Sequence, residues 1–462
     1  MKADNATVYI VHHIDTEGPL HEPIQEVFKR IETILGVPLN LFPSQQNLKK
    51  IQSGQLENVS QSIADAAKAI ADPHLLGFKS SWSELDEMLY RIMRKEYRNS
   101  LSDSFGNGWI YNWHILDHVG FVTNERRRDL GYLNVFNHYE QILKETDSSQ
   151  DELHWHFHPV SFFREAHIPA TSYENSFYEL HQVMCRRLIE KHWFPRINRA
   201  GFHTVRPDSN FFLEQWIPFD ASNQSMPEET EQVQKDAING RFGDWKGAPS
   251  DWSVYHPDLY DWRQPGNLKR VIAKCLNLKT RFRNISEEEL AIAFSKAKRE
   301  NSGVYVGVTN HDFREMSVEI EAFYTQLTNV AKRFPDVKFK FSSAIDAFRN
   351  VLGYTQEEIQ NNRIELKAQL IDQVLRVDVA AGELFGSQPY LALKSTTGTY
   401  WHDNLDFGRH GKEFFYTFDR NTIGLGALNR IAIAGNDKYG NTSIVEIEFA
   451  DGAVKATKQF QQ

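Results

Sequence analysis

Cysteine is scarce: Cys185 and Cys275 are the only two, far apart and in no close-spaced pair. No disulfide framework is implied, and the count hints at a reducing compartment. Basic residues are also in deficit. Lys+Arg total 52 against 61 Asp+Glu, a formal net charge of −9, so no basic stripe is on hand to replace phosphate counterions. General nucleic-acid binding and docking on anionic membranes are thereby disfavoured. Long apolar runs are missing too. The first, Val8-Tyr9-Ile10-Val11, is four residues long and ends in His12 and His13. That is too short for a signal-peptide core and reads as a first β-strand. No stretch approaches the ~20 apolar residues of a membrane span. A soluble, cytoplasmic protein is the expectation, with no internal repeat and no low-complexity tract.

What is present is a folding composition: 462 residues, 41% hydrophobic, enough for two domains or more. Apolar residues recur at helical spacing through about 22–100, for example Ile24, Val27, Phe28, Ile31 and Ile34. Helices are further predicted over about 132–143, 173–193 and 209–216. Ser286 with Glu289 forms a capping box that opens another, and 318–331 is the last. Between them lie short apolar segments near 109–122, 152–158, 200–202, 217–219, 304–308 and 337–341. Strands alternating with helices imply a mostly parallel sheet or an α/β barrel. Residues 223–266, rich in Pro, Gly, Asp and Trp, read as a long surface excursion. From about 371 onward only short alternating strands follow, which predicts an immunoglobulin-like β-sandwich. The expected domains are 1–353, an α/β barrel with a helical insertion at about 20–108, and 365–462.

Three clusters bear on chemistry. Asp15-Thr16-Glu17 follows the first strand, and on an extended chain end both carboxylates point the same way. His154, His156 and His158 crowd into five residues. If that segment is a helical turn, His154 and His158 face one metal ion; if it is extended, all three imidazoles align. Arg199, Asp220 and His311-Asp312 each lie at or just past a predicted strand end, where α/β folds place their sites. Asp117 and His118 lie in another strand-end region and are candidate substrate contacts. Aromatics are plentiful (31 Phe, 17 Tyr, 10 Trp), with dense groups at 109–113 and 245–262. Ordinary core packing explains most of them, and stacking on sugar rings is the alternative.

Taken in order, the segments around Asp15 and Glu17, His154 and His158, Arg199, Asp220 and His311 resemble the polysaccharide deacetylase family. The resemblance spans about Val8 to Leu352, interrupted after Pro19. It implies a deformed (β/α) barrel and a divalent metal, best zinc, on Glu17, His154 and His158. It further implies Asp15 as general base, oriented by Arg199, and His311 as the acid, with Asp220 fixing its tautomer. A backbone N–H near Phe202 would stabilise the oxyanion, so Phe202 joins the substrate-binding set. His156 is the alternative third metal ligand. Two departures stand out: the usual Asp-Asp is Asp15-Thr16-Glu17, and the arginine segment continues Gly201-Phe202-His203. The first looks like an atypical, intracellular-type branch. The implied activity is removal of an acetyl group from an N-acetylated sugar, a precursor of surface polysaccharide. The competing readings are another metal-dependent amidase or phosphoesterase, or an inactive carbohydrate-binding protein.

Overall fold

The computed structural model describes residues 6–57, 59–164, 172–227, 243–450 and 453–462. Eight strands, β1 (Thr7–Thr16), β2 (Tyr111–Ile115), β3 (Glu152–Phe157), β4 (Ile197–Ala200), β5 (Phe219–Asn223), β6 (Val271–Asn277), β7 (Gly303–His311) and β8 (Lys338–Phe341), carry the N-terminal part. All pair in parallel. β7 runs beside the whole of β1, while the other edge of β1 pairs with β8 over Thr7–Ile10 and with β2 over His12–Thr16. With β2 to β7 joined in chain order, seven strands close into a barrel. Near-continuous burial of β1, β2 and β6 is what parallel strands covered on both faces require.

The helices expected between the strands form at Asn134–Glu145, Phe177–Lys191, Pro207–Trp216, Glu287–Glu300 and Met316–Arg333. Ser286 caps its helix by accepting from the Glu289 N–H at 3.3 Å. Between β1 and β2 the chain makes five helices. The first three bury a core of their own around Phe28, Ile31, Ile51 and Ala67, whereas Leu85, Met88, Leu89 and Ile92 of the fourth join the barrel's core. Residues 223–266 are not merely superficial, since Trp245, Trp252 and Trp262 within them are buried. Trp109 and Trp113 are likewise core residues. Among the described residues no helix is long and apolar enough to cross a membrane.

The C-terminal part is two antiparallel sheets, of four and five strands. Their facing side chains, among them Leu366, Leu375, Val377 and Phe414 against Leu391, Leu393, Ile431, Ile433, Val445 and Ile447, form one core. The five-stranded sheet is buried on its other face as well. Because side chains alternate along a strand, Tyr390, Ala392, Ala432, Ala434 and Ile444 point away from the sandwich. They pack on Leu180, Val183, Met184 and Leu188 of the helix Phe177–Lys191. A stack of His181, His402 and Tyr390 rings, 4.2 Å between neighbouring centroids, seals this contact.

Burying four such apolar side chains is worth on the order of 6–12 kcal/mol at ~1.5–3 kcal/mol each, comparable to the whole stability of a domain. Deleting residues 365–462 is therefore expected to give an aggregating or molten barrel, and the intact chain to unfold in one transition. Urea denaturation followed by near-ultraviolet circular dichroism checks this; a truncated chain with native near-ultraviolet signal would contradict it.

Candidate metal centre

Strand alternation decides what faces the barrel interior. The ladders align Asp15 with His114 and His311, His114 with His154, and His156 with Arg199. Ladder partners share a face, so Tyr9, Val11, His13 and Asp15 of β1 point inward together with these residues. The lower half of the interior is apolar, built from Val11, Ile197, Phe219, Val271 and Phe348. Above it lies a layer of imidazoles. His13 bonds His114 at 2.7 Å and the Tyr305 hydroxyl at 2.8 Å; His154 lies 3.2 Å from Asn112 Oδ1, its ring tilted against that of His114 with centroids 5.0 Å apart. Burial pushes His114 down to about 3, and His13 and His154 well below the usual imidazole value. These rings are neutral and act as polar core.

At the mouth, Glu17, His156 and His158 each bring one ligand atom within 4.8 Å of the others. The two Nε2 atoms of His156 and His158 are 3.0 Å apart, and Glu17 Oε1 lies 3.7 Å from that of His158. His156 Nδ1 donates to the Arg199 carbonyl oxygen at 2.7 Å, which leaves its Nε2 lone pair free for a cation. Burial keeps His158 well below its ordinary pKa and thus neutral. Two imidazoles and a carboxylate, converging at the edge of a cavity with room for further ligands, suit a divalent ion of the zinc type. His154 is not part of this group. Residues 152–157 are a strand, so His154 and His156 stand roughly 7 Å apart along it, and His154 falls into the layer below. His156 takes its place.

Glu17 is held from several directions. Arg128 Nη2 pairs with Oε2 at 2.7 Å and so leaves Oε1 turned toward the histidines. Its backbone N–H and that of Gly18 donate to Asp312, which also accepts from the Tyr139 hydroxyl. His118 Nε2 donates to the Glu17 carbonyl oxygen at 2.8 Å. Burial raises the Asp312 carboxyl to about 7 despite those donors.

Asp15 lies beside the metal group and pairs side-on with Arg199, Nε to Oδ1 at 2.5 Å and Nη2 to Oδ2 at 3.2 Å. Burial opposes its charge, but Arg199, helped by His156 and His311, holds the carboxyl well below the usual carboxylate range. His311 Nε2 is 3.8 Å from both Asp15 Oδ2 and Glu17 Oε1. Burial pushes its imidazole down to about 3. Phe202 adopts a left-handed backbone (φ 53°) and sets its ring 4.3 Å from that of His158. Such a conformation in a bulky residue marks a locally constrained site.

Two further expectations fail on orientation. Asp220 aligns with Asn198 and Ile272, one residue out of phase with Arg199, and therefore points out of the barrel toward Arg270, 3.7 Å away. It does not fix the tautomer of His311, whose Nδ1 has no hydrogen-bond partner. Asp117 is consumed structurally: Arg187 donates to it at 3.0 and 2.8 Å, and the Leu133 N–H at 2.7 Å. It lines no cavity at the mouth, whereas His118 does. Arg128 and His203, whose Nδ1 lies 3.2 Å from Arg199 Nη2, escaped the sequence reading. The run Arg126-Arg127-Arg128 in a loop was the available signal for the first.

His156→Ala is expected to lower metal affinity by on the order of 10²-fold or more, since loss of a group that merely orients a ligand already approaches that. His154→Ala should keep full metal content and lose about 1–3 kcal/mol of stability to the void it leaves. Metal analysis after dialysis, with urea melts, distinguishes the two; metal loss from His154→Ala alone would contradict the assignment. Acid gives a second test. His12 and His114 have folded pKa values lowered to about 4 and 3 from 6.5. The unfolded chain therefore binds more protons below pH ~6.5, and each group subtracts up to about 1.4 kcal/mol per pH unit as pH falls through the window down to its folded pKa. Melting temperature should decline steadily from about pH 7 to about pH 5; a flat profile would refute neutral burial of these rings.

No family model matches the chain, and a search of curated proteins returns no relative.

Proposed function

We propose that the protein is a metal-dependent hydrolase that removes the acetyl group of an N-acetylated sugar, with the barrel of the polysaccharide deacetylase type and the C-terminal sheets an immunoglobulin-like sandwich. The observation that carries this reading is the juxtaposition of Glu17, His156 and His158 with an Arg199-held Asp15 and with His311. Glu17, His156 and His158 would hold the ion, best zinc, which when bound polarises the amide carbonyl and acidifies a water.

The chain's own residues divide the proton work. Asp15 is ionised at any working pH and takes a proton at Oδ2, the oxygen nearer His311, while Arg199 fixes its rotamer and charge. His311, with a free Nδ1 and an Nε2 near both carboxylates, delivers a proton to the departing amine. The proton it delivers is the one Asp15 has taken, passed from Oδ2 to Nε2 across their 3.8 Å separation, so the imidazole is charged only in transit. Phe202 lines the mouth and offers a face to the sugar ring. A cytoplasmic precursor of surface polysaccharide is the substrate setting we favour.

Acetate release from a panel of N-acetylated sugars tests the reading. Asp15→Asn should retain metal and lose turnover by about 10²-fold or more, the usual yield of general-base catalysis, whereas Glu17→Gln should lose both. Full turnover by Asp15→Asn would refute the assigned base. Phosphate release without acetate release would make the protein a phosphoesterase.

A further inference from the structure

His203 stands in the mouth of the barrel and takes no part in the proton work assigned above. The chain holds it under strain. Both it and Phe202 have left-handed backbones (φ 53° each), uncommon for one non-glycine residue and more so for two in succession. The turn is fastened from within by the Thr204 N–H on the Gly201 carbonyl oxygen at 3.0 Å. From outside, the Gly243 N–H donates to the Phe202 carbonyl oxygen at 2.9 Å, and the Trp245 indole N–H to that of His203 at 2.8 Å. Gly243 comes so close that an added Cβ would lie 1.6 Å from the His203 carbonyl oxygen. Strain fixed in this way keeps one side chain in one place.

The tautomer of that side chain follows from its neighbour. A guanidinium has donors and no lone pair to offer, so the 3.2 Å contact between Arg199 Nη2 and His203 Nδ1 has a single polarity. Arg199 donates, Nδ1 accepts, and the proton of the neutral ring sits on Nε2. Burial, then the charge of Arg199, holds the imidazole well below its ordinary pKa; Arg283 and His311 push the same way, and Asp15 opposes them. The ring is therefore neutral. Among the described residues Nε2 has no hydrogen-bond partner, and it is not sealed from solvent, so it opens on the cavity that His203 lines with Asp15, Glu17, His158 and His311.

Arg199 Nη2 donates to Asp15 Oδ2 and to His203 Nδ1, each at 3.2 Å. A cationic donor on Nδ1 polarises the ring and strengthens Nε2–H as a donor. A fixed, cation-backed donor suits an oxygen on which negative charge develops; a sugar hydroxyl makes no such demand. We propose that the Nε2–H of His203 donates to the acyl oxygen of the substrate as that oxygen becomes an oxyanion. This rests on reading the metal group as the acyl-hydrolysing centre, but the donor can be tested without turnover, because acetate presents a comparable oxygen.

Crystals of the full-length, zinc-loaded protein soaked in sodium acetate should show an acetate oxygen about 2.7–3.2 Å from His203 Nε2. In calorimetric titration with acetate, zinc-loaded His203→Ala should bind about tenfold or more weakly than wild type, as loss of a hydrogen bond to a charged group does. His203→Gln, whose amide keeps a donor, should stay near wild type. In acetate release, His203→Ala should lower kcat by about 10²-fold or more with little change in KM, and His203→Gln should restore most of it. Acetate absent from the crystals or seated away from Nε2 overturns the proposal, as does unchanged acetate affinity in folded His203→Ala. A rise in KM alone would make His203 a contact to a sugar hydroxyl, and metal loss from the folded variant would make its role structural; either overturns it. If His203→Ala fails to fold, the wild-type crystals decide. Acetate bound through His203 without acetate release from any N-acetylated sugar would sink the deacetylase reading and leave the donor standing.

Discussion

A buried carboxylate keeps its charge only if a cation is fixed beside it, and the mouth of this barrel is arranged around one such match, Asp15 with Arg199. The pair joins the first strand to the fourth across the interior and is almost wholly removed from water. Breaking a pair of this kind from one side leaves an uncompensated charge, at a cost of about 3–5 kcal/mol. Its geometry sets the rest of the site. Arg199 offers its carbonyl oxygen to His156 Nδ1 and a guanidinium nitrogen to His203, so one residue orients both Asp15 and His156. Beneath it, rings that burial keeps neutral fill the interior without adding charge.

Much of this order is legible in the sequence. The first strand, the capped helix after Ser286 and the body of the late strand that carries His311 follow from apolar period and capping residues, although both strands run further than that period and take in Asp15 and His311. Most of the C-terminal strands follow from alternation. What is not legible is phase. A segment such as Glu152–His158 fits either a helical or an extended period, and the choice decides whether His154 or His156 joins Glu17 and His158 at the mouth. Asp220, expected just past a strand, is instead the second residue of one, and a one-residue register turns it outward. Short strands such as Val271–Asn277 and Tyr400–Asp403 escape because their neighbours, not their own pattern, bury them.

The arginines lining the cavity at the barrel mouth, Arg30, Arg126, Arg128, Arg281 and Arg314, escape for a different reason. They come from the helix at 24–35, the loop before the helix at 134–145, the turn after the sixth strand and the segment after the seventh. Only closure of the barrel brings them together, and net charge conceals them. Strain is concentrated in the same place: Phe202 and His203 both hold left-handed backbones beside Gly201, where an added Cβ would meet the Phe157 carbonyl oxygen at 2.4 Å. The tight turn is therefore required for the chain to pass from Arg199 to the rim of the cavity.

The central claim is that the ion sits on Glu17, His156 and His158. An anomalous difference map from crystals grown with zinc, measured on both sides of the zinc absorption edge, tests it most directly. The account predicts one strong peak about 2.0–2.2 Å from a Glu17 oxygen and from Nε2 of both histidines. A peak bound instead by His154, or no peak at the mouth of the barrel at saturating zinc, would contradict it.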